Sequence, residues 1–165
     1  MSQATAGLFL LIGLGLSGCN KAPSAVPTEA QQTADVLSGD AKGDASTNAQ
    51  CKKFTQTEIA AFAGTPVNAG ENAAMGTGCQ WGARNDHGFV MLQVVEAKDH
   101  NPTSAAPGYK KLPDVGRNGF IVPDKEGGSA AAIAGDKSVN IMITTGAGEA
   151  NVLAFLREAM KRSST

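Results

Sequence analysis

The chain has 165 residues, with 14 basic and 15 acidic side chains and a formal net charge of −1 at neutral pH. This balance argues against a nucleic-acid-binding protein, because such proteins carry a basic patch or stripe. The pairs Lys52-Lys53 and Lys110-Lys111 are too short to form one. Residues 51–165 have the length of one small domain with one core.

The first predicted element is a nine-residue apolar run from Leu8 to Leu16. A transmembrane helix needs roughly 20 apolar residues, whereas the core of a signal peptide has about 7 to 15. The motif Leu16-Ser17-Gly18-Cys19 resembles the lipobox of bacterial lipoproteins. The resemblance implies a signal peptide over residues 1–18 and acyl chains on Cys19. The alternative is a buried apolar helix with a core cysteine.

The next segment has a different composition. Residues 20–50 are rich in Ala, Ser, Thr, Pro, Gln and Asp and contain few large apolar side chains. Such a segment cannot bury enough surface to offset its ordering entropy, so a flexible tether is predicted. Together with Cys19, which the lipobox resemblance implies is lipidated, the tether forms a segment over residues 19–50. In the lipoproteins that the motif resembles, Asn20 in place of Asp implies an anchor in the outer membrane, on its periplasmic face.

Two cysteines remain once Cys19 is assigned to lipid. Thiols are oxidised in an exported protein, so Cys51 and Cys79 are predicted to form a disulfide. The alternative is a catalytic thiol, which would need a nearby base.

Two helices are predicted at the ends of the domain. Thr55 and Glu58 have the spacing of a capping box, and Gly64 can close the helix that they begin. A second helix is predicted from about Glu149 to Lys161, where apolar residues recur at helical spacing.

Alternation and turn residues between the helices predict five strands, over about 79–83, 89–95, 114–122, 129–134 and 138–144. The run from Phe89 to Val95 is almost wholly apolar, which predicts a central strand covered on both faces. The last three strands predict an antiparallel meander. The predicted fold is therefore α+β, a single antiparallel sheet of about five strands packed with an N-terminal and a C-terminal helix.

Several of these motifs follow one another along the chain in this order: Cys51, the Thr55 to Ile59 helix start, Gly64, and the Cys79-Gln80-Trp81 strand. This order resembles a family of small bacterial lipoprotein domains of unknown function. The resemblance implies a fold similar to the PsbP-like α/β sandwich, with no catalytic residues to carry over. It also supports the disulfide.

Motifs for catalysis are scarce in this chain. It contains no Gly-x-Ser-x-Gly elbow, His-Glu-x-x-His helix or Cys-x-x-Cys pair, so no metal or cofactor is predicted. His87 and His100 each follow an Asp, but adjacent residues do not normally face each other. The Gly146 to Gly148 turn has Asn151 where a dinucleotide fingerprint needs a third glycine. The chain is therefore predicted not to be an enzyme.

Binding is the function class that remains. Tyr, Trp and Arg dominate interface energetics, and the predicted partner contacts are Arg84, His87, Tyr109 and Arg117. Tyr109 serves equally well as a packing residue, and Trp81 is predicted to lie in the core. We expect a non-catalytic module that binds an envelope protein or a wall component. The alternative is an immunity or inhibitor lipoprotein that neutralises a secreted wall-degrading toxin.

Overall fold

A computed structural model describes residues 45–102 and 104–164. The predicted signal peptide, Cys19 and the tether up to residue 44 lie outside the described residues. The described strands and α-helices, in chain order, are α1 Gln56–Ala63, β1 Glu71–Ala73, β2 Gly78–Gly82, β3 Phe89–Glu96, β4 Lys110–Lys111, β5 Arg117–Asp124, β6 Gly127–Ala134, β7 Lys137–Ile143 and α2 Glu149–Ser163.

The strands form one antiparallel sheet in the order β1-β2-β3-β7-β6-β5-β4. The predicted meander is confirmed, since β5, β6 and β7 are neighbours. The last strand, β7, then returns to the hairpin of β2 and β3 and pairs with β3 from Val90↔Ile143 to Glu96↔Lys137. This pairing joins the two halves of the sheet.

The α+β class with one antiparallel sheet and two helices is confirmed, but the strand number is wrong: the sheet has seven strands, not about five. The two extra strands are β1 and β4, of three and two residues, at the two edges of the sheet. They show no alternation of apolar and polar residues, because their backbones pair with a neighbour while burying little. Both residues of β4, Lys110 and Lys111, are exposed.

The ends of α1 follow the capping signals in the sequence. The Thr55 backbone N–H donates to Glu58 Oε2 at 2.7 Å, and the Glu58 backbone N–H donates to Thr55 Oγ1 at 3.3 Å. Gly64 ends the helix with φ of 66°, a left-handed conformation that glycine adopts at little cost. The capping box therefore fixes where the helix begins, and the glycine fixes where it ends.

The core lies between the helices and one face of the sheet. Phe155 of α2 is fully buried, and its ring lies 5.2 Å from that of Phe54 and 5.1 Å from that of Phe62. Cys51, in the turn before α1, forms a disulfide with Cys79 of β2, in agreement with the sequence prediction. Trp81, two residues on, is only 1% exposed, so it belongs to the core as predicted.

β3 lies inside the sheet, but the prediction that both of its faces are covered is wrong. Val90 and Leu92 are fully buried on the helix side, whereas the alternate residues Met91, Gln93 and Val95 are only partly buried. The reason is that α1 and α2 pack on the same face: α2 contacts β6 and β7, and α1 contacts α2 and β3. The other face of the sheet has no helix among the described residues.

Candidate functional site

The sheet face opposite the helices is the first candidate binding surface, and we call it the open face. Strand register gives it two transverse rows of side chains. One row runs Met91, Met142, Ser129 and Val122, and the next runs Gln93, Asn140, Ala131 and Phe120. Small side chains on β6 lie between larger ones on both sides, so the face is grooved along β6.

The groove has a volume of about 180 Å³. Its floor is formed by Ser129 and Ala131, with Met91 and Met142 on one side and Phe120 on the other. Both methionines are partly exposed, and the amides of Gln93 and Asn140 lie beside them. The surface is therefore mainly apolar, with polar groups that can hydrogen-bond to a ligand.

The segment between β3 and β4 covers the β5 side of the open face. The His100 ring has Nδ1 2.8 Å from Ser138 Oγ and Nε2 3.1 Å from the Asn118 carbonyl oxygen. On Phe120, the His100 ring packs edge-on at 5.7 Å and the Tyr109 ring stacks at 5.6 Å. Ser138 and Phe120 are buried as a result. This aromatic cluster bounds the groove.

The histidine pairs considered in the sequence are not formed among the described residues. His100 contacts Ser138 and Asn118 rather than Asp99. The only hydrogen bond that the described residues give to His87 runs from its backbone N–H to Asn85 Oδ1, at 3.2 Å, so Asp86 does not orient its ring. Neither ring is held by the carboxylate that precedes it.

The turn between β2 and β3 carries two of the predicted partner contacts, Arg84 and His87, and both are exposed. The turn is held by hydrogen bonds from the Ala83 N–H to the Gly88 carbonyl and from the Phe89 N–H to Thr144 Oγ1. Gly88 has φ of +88°, and a Cβ there would lie 1.8 Å from the Thr144 carbonyl oxygen. Glycine is therefore required at this position.

The four predicted contact residues do not form one site. Tyr109 and Arg117 lie at the β4 and β5 side of the sheet, whereas Arg84 and His87 follow β2. Tyr109 is partly buried against Phe120, and Arg117 is exposed. The sequence does not indicate that Met91 and Met142 are surface residues, or that the buried Phe120 bounds a groove. For Met91, the signal in the sequence is the continuous apolar run of β3, which places an apolar side chain on each face of the sheet.

A charged cluster ties α1 to α2 on the helix side. Arg162 donates to both carboxylate oxygens of Glu58, to Glu158 Oε1 at 2.9 Å and to the Lys53 carbonyl, and it lies 4.2 Å above the centroid of the Phe54 ring. The hydrogen bond from Arg162, with those from Thr55, lowers the pKa of Glu58 to about 2. Hydrogen bonding to Arg162 also lowers the pKa of Glu158.

This cluster predicts a loss of stability in acid. The pKa of Glu58 is about 2 in the folded protein and 4.5 ordinarily, so the unfolded chain binds the proton more tightly. The stabilisation is therefore complete above pH 4.5 and is lost as the pH falls through about 2. We expect Glu58→Gln to be less stable than the natural protein at pH 7, with the difference shrinking toward zero in acid.

Urea unfolding from pH 7 down to pH 2 measures this convergence. Glu126→Gln is the matched control, because it removes an exposed carboxylate in the turn between β5 and β6. A constant difference between Glu58→Gln and the natural protein at every pH would contradict the assignment.

No protein-family model matches the chain, and no curated protein matches it significantly. Within residues 45–102 and 104–164, no group of three or more His, Cys, Asp or Glu side chains could hold a metal ion. No helix in the same ranges is long and apolar enough to cross a membrane.

Proposed function

We propose that the domain is a non-catalytic binding module whose open face docks on a protein of the bacterial envelope. The observation that carries the proposal is the mainly apolar sheet face that no described helix covers, where Met91 and Met142 lie partly exposed beside a groove bounded by Phe120. The lipobox-like Leu16-Ser17-Gly18-Cys19 motif supports a location at the outer membrane, on its periplasmic face.

The chemistry of the open face favours a protein as the partner. Methionine and aromatic side chains are enriched in protein interfaces, and the flexible thioether fits irregular surfaces. The amides of Gln93 and Asn140 can hydrogen-bond to a partner while the methionines pack against it. A wall polysaccharide would instead require many hydroxyl-binding groups, and the groove offers few.

Affinity capture from detergent-solubilised envelope tests the proposal. The bait is the full chain, with Cys19→Ala as a control that prevents lipidation. We expect Met142→Lys to weaken capture of the enriched partner at least about tenfold, because a charge would have to be buried in the interface. The purified partner should show the same loss in a direct binding titration.

Ala154→Lys is the matched control, since it adds the same charge at an exposed position of α2, on the helix side. It should capture the partner as well as the natural protein does, and both variants should unfold at similar urea concentrations. Equal capture by Met142→Lys, or no enriched protein, would overturn the proposal. A captured wall-degrading enzyme that is inhibited by the domain would identify the module as an immunity or inhibitor lipoprotein.

A further inference from the structure

A second cleft lies away from the open face, between α1 and the β2–β3 turn. It has a volume of about 520 Å³, larger than the groove of about 180 Å³. The cleft exists because the chain leaves α1 at Gly64 and runs beside the end of β2, where Val67 bridges Ala83. Arg84 follows directly and reaches the rim.

The guanidinium of Arg84 is held at one nitrogen only. Its Nε donates to the Val67 carbonyl oxygen at 3.0 Å, and its backbone N–H donates to the Pro66 carbonyl at 2.9 Å. Gln56 Nε2 donates to the same Val67 oxygen. The described residues give the two outer nitrogens of Arg84 no acceptor and no ion pair. A guanidinium that is fixed at Nε, and whose two outer nitrogens have no partner among the described residues, is suited to a planar anion.

The remaining lining sets the chemistry of the ligand. Among the residues that the structure describes, Arg84 is the only charged one that lines the cleft, and none of the lining residues is a carboxylate. Thr57 and Thr65 add hydroxyl groups that make no hydrogen bond within the described part of the chain, while Ala60, Pro66 and Val67 add apolar groups to the lining. Glu58, which directly follows Thr57 in sequence, is engaged by Arg162.

We infer that this cleft binds a carboxylate carried on a small apolar body, such as the free end of a peptide with small side chains. The carboxylate would receive two hydrogen bonds from the outer nitrogens of Arg84 and further ones from Thr57 and Thr65. The small apolar body would lie on Ala60 and Pro66. This inference does not depend on the open face or on the partner proposed for it.

Titration followed by NMR tests the inference on the ¹⁵N-labelled full chain with Cys19→Ala. The probes are N-acetyl-alanyl-alanine with a free carboxylate, the same peptide with a terminal amide, and inorganic phosphate. We expect the free carboxylate to shift the backbone amides of Thr57, Thr65 and Arg84 saturably. The terminal amide should bind at least about tenfold more weakly, because it cannot accept a bidentate pair.

Two variants examine the two halves of the site. Arg84→Gln should weaken binding of the carboxylate at least about tenfold, whereas Arg157→Gln, which removes an exposed arginine of α2, should not. Ala60→Met should also weaken binding of the carboxylate, because the longer side chain fills the cleft while the Arg84 guanidinium is unchanged. Equal binding of acid and amide, tighter binding of phosphate, insensitivity to Arg84→Gln, or no saturable shift would each overturn the inference.

Discussion

Truncating Phe155 to alanine should lower the free energy of unfolding by about 4 kcal/mol, the largest effect that we expect from one substitution. The side chain is fully buried where α2 meets the sheet, and its ring contacts Phe54 before α1 and Phe62 within α1. Removing it costs transfer free energy and leaves a cavity, because three elements meet there and cannot all move inward. The total free energy of unfolding of a small domain is only about 5–15 kcal/mol.

Urea unfolding at an unchanged m-value measures this loss. Arg157→Ala, two residues further along α2, is the matched control, because its exposed side chain should change stability by less than about 0.5 kcal/mol. If Phe155→Ala costs no more than Arg157→Ala, the three phenylalanines do not form the centre of the helix layer.

Replacing both disulfide cysteines with alanine should lower the free energy of unfolding by about 3.5 kcal/mol and the melting temperature by roughly 10–15 °C. Cys51 and Cys79 are 28 residues apart in sequence, so the bond removes much of the loop-closure entropy of the unfolded chain. It also fastens the turn before α1 to β2, which ties the N-terminal end of the domain to the sheet.

Reduction provides the internal control for this prediction. The chain has three cysteines, so in a Cys19→Ala background the only remaining thiols belong to this pair. A reductant should lower the melting temperature of that protein and leave the double alanine variant unchanged. A melting temperature that does not respond to reductant would show that the two cysteines are not paired in the protein.

The sequence predicts the elements that carry their own local signals. Thr55 and Glu58 begin α1 through hydrogen bonds between their side chains and each other's backbone N–H, and Gly64 ends it in a left-handed conformation. These signals involve neighbouring residues only, so no tertiary information is needed. The short strands β1 and β4 carry no such signal. They are strands because β2 and β5 offer unpaired backbone groups, which is a property of the assembled sheet.

The candidate surfaces were less accessible to sequence reasoning, for a related reason. The exposure of Met91 depends on which face α2 covers, and that choice is made by packing far along the chain. Arg84 was singled out by residue type, but its cleft depends on the path of Gly64 to Val67 beside β2. His100 follows an Asp in the sequence, but its ring contacts Ser138 and the Asn118 carbonyl, and these contacts fasten a loop.

The pairing of β3 with β7 has a consequence for how the chain acquires its structure. β3 and β7 cannot pair at the centre of the sheet until the ribosome has synthesised β4, β5, β6 and β7. The helix side of the sheet also stays exposed until α2 has been synthesised and packs on it. Such non-local pairing makes folding slow, since the intervening loop must be closed before the contacts form. A chain emerging from the ribosome would therefore lack its native core until β7 and α2 have both been synthesised.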